Sequence, residues 1–316
     1  MKPKFDLNSP LFLLVKDFLN KESIKALETD QTVEKSVLPI YALPKTKGHL
    51  KKKTKYEQIA SGVLVNVKNE YFVFTADHVF KDTKEYAIAI STGNGNLIQQ
   101  FKGERYTSNN ATKNDKDIYD ASVYHIRAKL PKSLKDIAIT LDKIDFKNDD
   151  NDQPIFLISG FRVRDSSTEG NSVNSKRKSF PTIEMNTKDY ENFNFHKKSH
   201  ILLAYDDQIL IDGNWKMSPK PKGMSGGAII KVKGTKTSEL NNNKNLKQIL
   251  TAITIEQHRG KHKNPGVLVG TRINVYLGLI YQFVPGLLDD FLKNYSEENK
   301  LCPNTVIANS GQSCKK

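Results

Sequence analysis

A serine sits between glycines in Pro221-Lys222-Gly223-Met224-Ser225-Gly226-Gly227-Ala228, and an apolar run leaves it. The glycines let the backbone take positive φ and come close to another group. Such a turn can hold a hydroxyl at a strand edge and point its own N–H groups into the same space. That pairs a nucleophile with an oxyanion site, as acyl transfer needs. A glycine-rich β-turn with an ordinary serine reads the same way, so a base must be found. Upstream, Ser61 to Val67 alternates like a half-buried strand, Lys68-Asn69-Glu70 turns it, and Tyr71 to Val79 follows as a second strand. His78 stands where that strand ends, where a general base can be presented.

Taken in order, Ser61-Gly62-x-Leu64, Thr75-Ala76-x-His78-Val79 and Gly223-x-Ser225-Gly226-Gly227-Ala228 resemble the trypsin/chymotrypsin-like serine peptidase superfamily. The compact, disulfide-free bacterial branch is the nearest match, over residues 36 to 283. The resemblance implies a mainly β chain of two six-stranded antiparallel β-barrels with an N-terminal helix and C-terminal helices. It implies a Ser-His-Asp triad in the order His78, Asp120, Ser225, an order that α/β-hydrolases do not use. Gly223 and Ser225 would supply the oxyanion N–H groups. Ile255-Glu256-Gln257 matches the edge strand on which substrate backbones pair. Pro219, six residues before Ser225, falls on the specificity position, and the missing carboxylate there argues against an Arg/Lys preference.

The acid has rivals. In this family it leads a strand and a small residue follows two places later, as in Asp120-Ala121-Ser122. Asp136-Ile137-Ala138 matches the Asp-x-Ala pattern better letter by letter, and Asp117 stands close by. Chain length favours Asp120, which leaves 40 residues before the Gly160-Phe161 turn of the second barrel. Those residues have room for an Ile137 to Leu141 strand. Asp136 leaves 24, and one strand then has no place.

The elements that must hold these groups follow in sequence. Residues 11 to 29 space Leu11, Phe12, Leu14, Val15, Phe18, Leu19, Ile24 and Leu27 like an amphipathic helix, within an extension over 1–35. A first barrel is expected over 36–130, a second over 131–273, helices over 274–295 and a polar tail over 296–316. Residues 103 to 117 and 162 to 180 read as polar excursions, the second a long loop.

Length and composition bound the rest. The 316 residues can bury a sizeable core, and the only cysteines, Cys302 and Cys314, leave both barrels without a disulfide. No apolar stretch reaches membrane-span length and Met1 to Asp6 lacks a signal peptide's apolar core, so a cytoplasmic protein is expected. The net charge of +14 comes from scattered lysines without aromatic interleaving. That disfavours nucleic acid and fits a solvated surface or an acidic protein substrate. The histidines form no metal-ligand constellation, and neither metal nor cofactor is expected.

These readings converge on a serine endopeptidase that hydrolyses a protein or peptide substrate through an acyl-enzyme. Its oxyanion turn is expected to be formed by local packing, or ordered by substrate or by an activating or co-encoded partner protein. The alternative is a catalytically retired member of the fold that binds peptides or proteins. Met224 departs from secreted relatives, which carry an acid there to receive a newly cut N-terminus.

Overall fold

The computed structural model describes residues 31–42, 56–80, 87–91, 94–109, 117–146, 155–169, 172–205, 208–211, 214–217, 221–233, 247–260 and 266–299. The expected N-terminal helix and Pro219 lie outside them.

Six strands close the first barrel in the order β1-β2-β3-β7-β6-β4. They are β1 (Val37–Ala42), β2 (Glu57–Val67), β3 (Glu70–Ala76), β4 (Ala87–Ile90), β6 (Gln99–Thr107) and β7 (Ala121–Ile126). The β2–β3 hairpin turns through Lys68 and Asn69, both at positive φ (49° and 68°). That geometry matches the right-handed twist of the flanking strands, and Asn66 Oδ1 accepts the Asn69 N–H at 2.9 Å.

The second sheet is antiparallel, ordered β10-β15-β14-β13-β8-β9-β5. It contains β8 (Ile155–Glu169), β9 (Ser172–Thr182), β10 (His200–Ala204), β13 (Ala228–Lys233), β14 (Lys247–His258) and β15 (Val267–Arg272). Its outer strands approach each other, because Met185 N–H donates to Leu202 O and Ala204 N–H to Ile183 O. Six strands thus curl into the second barrel of a chymotrypsin-like pair. The seventh, β5 (Asn94–Leu97), comes from the first half of the chain and pairs with β9. A separate hairpin, β11 (Gln208–Ile211) with β12 (Asn214–Met217), precedes the serine turn.

Three expectations are corrected. Residues 162 to 180 are not a loop: β8 and β9 continue through them as a hairpin, in register from Phe156↔Thr182 to Glu169↔Ser172 with one irregularity. Ser and Thr carry this ribbon, and inter-strand hydrogen bonds sustain it where apolar alternation fails. The strand β6 extends to Thr107, into the supposed excursion, because β7 offers it a partner along Gly103↔Ile126 to Thr107↔Ser122. Residues 137–141 form no strand. A helical turn, Lys132–Lys135, leads to a single bridge between Ile139 and Val65, then a 3-10 turn at Leu141–Lys143.

The principal core lies between the barrels. Val63, Val65, Phe72 and Phe74 meet Leu157, Ile230, Leu250 and Ile253 there, with Tyr276, Leu277 and Ile280 of helix α2 (Ile273–Phe283) closing one side; α1 (Thr187–Phe193) sits outside this cluster. The interiors of the two barrels form separate apolar clusters. The Tyr276 ring stacks on Phe74 at 5.2 Å and its hydroxyl donates to Thr75 O at 3.2 Å. Burial, then the Asp120, Asp117 and Asp77 carboxylates, push its phenol well above the usual tyrosine range. A further helix, α3 (Asp289–Asn299), follows, and among the described residues no helix is long and apolar enough to cross a membrane.

Tyr276→Ala should therefore cost about 3–5 kcal/mol in denaturant unfolding, as removal of a fully buried aromatic does. Tyr281→Ala, on the exposed face of the same helix, should stay within about 0.5 kcal/mol of the parent. Equal losses at the two positions would contradict a core centred between the barrels.

Candidate active site

The apolar strand β3 ends at Ala76, and Asp77–Phe80 coils into a 3-10 turn. This turn lifts His78 out of the sheet, with 41% of its side chain exposed. Asp120 stands at the start of β7, the neighbouring strand, where Ala76 pairs with Ala121. His78 Nδ1 lies 2.5 Å from Asp120 Oδ2, the His78 N–H donates to Asp120 Oδ1 at 2.8 Å, and the Asp77 N–H donates to Asp120 O at 2.8 Å. A carboxylate on Nδ1 selects the tautomer with its proton there, which leaves Nε2 able to accept one. Asp120 itself sits at φ 48°, a left-handed conformation that is uncommon outside glycine and that Asp tolerates better than most residues.

The serine turn comes from the other barrel and lies against β2 and β3. Ser61 N–H donates to Ser225 O at 2.8 Å, and Ser61 Oγ donates to Gly223 O at 3.0 Å while accepting the Phe161 N–H at 2.8 Å. Thr75 Oγ1 donates to Ser61 O, also at 2.8 Å. Gly226, at φ 82°, touches both strands: a Cβ on it would stand 2.0 Å from Ser61 O and 2.1 Å from Thr75 Oγ1. Thr75 is three residues before His78, so this contact brings Ser225 to the end of β3 where the imidazole emerges.

Inside the turn, Met224 N–H donates to Pro221 O, Gly227 N–H to Met224 O and Gly226 N–H to Thr254 O. Among the described residues the N–H groups of Gly223 and Ser225 have no such partner, and these are the two that the resemblance assigns to an oxyanion. Gly223 is at φ 93°, against the backbone of Phe161 and Val163. Met224 is buried with Phe156, Ile158 and Ile229 in the second barrel, so apolar packing supports the turn from this position.

The strand β14 runs past the end of β13, whose first residue, Ala228, pairs with Ile253. Ile255, Glu256 and Gln257 lie beyond that point. Glu256 and Gln257 pair with β15 on one side only, and Ile255 stands in the bulge between Thr254 and Glu256. The other edge of this segment has no strand partner among the described residues. Ile255 is buried and Glu256 exposed, beside His258 at 3.0 Å.

The rival acids go elsewhere. Asp136 is exposed at the end of the Lys132–Lys135 turn, and Asp117 accepts from Ser108 Oγ at 2.6 Å. Asp77 is buried on the Tyr276 side. Ser61 and Thr75 had a sequence signal, since both belong to the motifs around His78, although nothing local says that they grip the serine turn. His200 had none. It is fully buried on β10, and its contacts reach across to the loop before Asp120. The described residues contain no group of three or more side chains that could hold a metal ion.

No family model and no curated protein matches this chain. A solved structure that it resembles is mouse neuropsin, described as a serine protease expressed in the limbic system of mouse brain. The likeness is 14% in identity, covers 81% of this chain and 96% of that one, and has a TM-score of 0.47.

Burial holds the imidazoles of His125 and His200 below the ordinary histidine value, more than the Glu70 carboxylate 2.7 Å from His125 Nε2 raises the first. The unfolded chain then takes up protons near pH ~6.5 that the folded protein does not. Stability is complete above that pH and declines as pH falls through it. The urea midpoint should drop between about pH 7.5 and about pH 5.5, and His125→Phe, which keeps a ring against Phe72, should lose part of that drop. Identical midpoints at both pH values would contradict this sign.

Proposed function

We propose that this protein is a serine endopeptidase with His78, Asp120 and Ser225 as its triad. One observation carries the reading: the hydrogen-bonded His78–Asp120 pair stands beside the strands against which the Ser225 turn is packed. In this reading Ser225 Oγ attacks the scissile carbonyl carbon while His78 Nε2 takes its proton. The carbonyl π pair moves onto oxygen, where the N–H groups of Gly223 and Ser225 receive it. Collapse breaks the C–N bond, His78 protonates the leaving amine, and an acyl-enzyme remains. Water, deprotonated by His78, then releases the acid and restores the serine. Asp120 keeps the proton on Nδ1 and stabilises the imidazolium. The substrate backbone pairs with the open edge of Ile255–Gln257 as an added strand. The reading extends to the cytoplasm, where a chain whose barrels hold no cysteine is at home, and, on the motif resemblance alone, to the compact bacterial branch.

Ser225 is tested by a fluorophosphonate probe. The parent should be labelled, peptide mapping should place the adduct on Ser225, and Ser225→Ala should lose both labelling and proteolysis while remaining folded. Labelling at Ser61 or Ser122 would overturn the assignment. A parent that binds peptide but takes no label would instead be the retired, binding form of the fold.

The acid is tested separately. Asp120→Asn offers the imidazole a partner that favours the wrong tautomer, and kcat should fall by about 10⁴. Asp136→Asn should change kcat by less than about twofold, because that residue is exposed on a helical turn. The opposite ranking would remove Asp120 from the mechanism.

A further inference from the structure

The loop that delivers Asp120 is held at its two ends by its own barrel. Ser108 Oγ donates to Asp117 Oδ2 at 2.6 Å and accepts the Ala121 N–H at 3.0 Å, and Tyr119 N–H donates to Asp117 Oδ1 at 3.0 Å. The middle of the loop is held from the opposite barrel. His200 Nε2, on β10, lies 3.0 Å from Ile118 O, and Thr271 Oγ1, on β15, donates to Tyr119 O at 2.5 Å. These are the two peptide carbonyls immediately before Asp120. The Tyr119 ring also stacks on the His200 imidazole, with centroids 5.8 Å apart and planes 9° from parallel.

His200 is built to donate in this direction. Its Nδ1 is 3.0 Å from Ser199 Oγ, Phe195 covers it at 4.8 Å, and burial favours the neutral ring. A neutral ring that accepts from Ser199 at Nδ1 carries its proton on Nε2, opposite Ile118 O. Arg272 steadies the strand behind it, donating from Nε to His200 O at 2.9 Å and to Lys197 O at 2.7 Å, with Nη2 3.2 Å from Glu184 Oε1. Simple burial of the loop does not account for the arrangement, since the Ile118 side chain is 44% exposed. The loop is gripped by its carbonyls.

We propose that His200 and Thr271 are positioning residues: from the second barrel they clamp the Ile118 and Tyr119 carbonyls and so hold Asp120 in its left-handed conformation against His78. The clamp rests on the proposed triad only for its kinetic consequence. Its structural content is that the bonds from His78 N–H and Asp77 N–H to Asp120 depend on side chains of the other barrel.

Amide hydrogen exchange on the full chain reads those two bonds directly. Thr271→Val is nearly isosteric and removes only the hydroxyl; His200→Phe keeps a ring against Tyr119 and removes the donor. In each variant the amides of His78 and Asp77 should exchange at least about tenfold faster, while the Phe74 amide in the β2–β3 ladder keeps its parent rate. Thr271→Ser, which restores the hydroxyl, should keep parent protection throughout. Peptide cleavage should lose about tenfold or more in kcat with little change in KM, because the substrate edge is untouched. If either variant folds and leaves the His78 and Asp77 amides at their parent rates, the clamp is wrong. It is equally wrong if Phe74 accelerates in step with them, which would mean a loss of global stability. Should His200→Phe fail to fold, Thr271→Val alone decides. Loosened amides in a protein whose parent cleaves no peptide would keep the clamp and sink the peptidase reading.

Discussion

Two backbones meet at Gly226, closer than a side chain would allow. The turn can lie against Ser61 O and Thr75 Oγ1 only because nothing projects from that α-carbon. The approach lets Ser61 spend its N–H on Ser225 O and its hydroxyl on Gly223 O, so the first barrel shapes the turn that the second barrel carries. The remaining site geometry follows from this meeting. A wider gap would part the serine from the strand that presents His78, and the buried N–H and hydroxyl of Ser61 would lose their partners across the boundary, a loss of roughly 1–3 kcal/mol for each.

Electrostatics is concentrated near the same boundary. Asp77, Asp117 and Asp120 gather at one end of the first barrel, and the fully buried Tyr276 hydroxyl feels all three. Withdrawing carboxylates from water is costly, but the half-buried Asp120 and Asp117 each receive two N–H or O–H donors. The net charge of +14 comes largely from lysines, and among the described residues Lys68, Lys132, Lys135, Lys188 and Lys198 are exposed, away from these carboxylates in the sequence.

The sequence made the local parts of this arrangement readable and hid the parts made by distant contacts. His78 and Ser225 stood in short motifs whose turn chemistry is written in adjacent residues, and the alternation of Ser61 to Val67 announced the first hairpin. Asp120 could be ranked above Asp136 by chain length, yet one premise of that ranking, a strand at Ile137 to Leu141, is absent: a helical turn and a lone bridge at Ile139 fill the space. The β8–β9 ribbon was invisible because serine, asparagine and lysine show no apolar period, and its pairing is a matter of backbone hydrogen bonds. His200 and Thr271 were beyond reach for another reason. Their partners are carbonyls some 82 and 152 residues earlier in the chain, which no spacing rule connects.

The short helical turn Thr32–Lys35 has a consequence for biosynthesis. Glu34 is buried there, accepting from Ser179 Oγ and from Gln248 Nε2 at 3.1 Å, while Arg177 donates to its carbonyl at 2.7 Å. Gln248 lies 214 residues downstream, at the start of β14. On a ribosome that carboxylate therefore waits for a further 214 residues before its last partner emerges. The strand that leads to His78 can pair early, but the boundary between the barrels closes only when synthesis has passed β14. A growing chain thus completes the boundary between its barrels late, as its long-range contacts require.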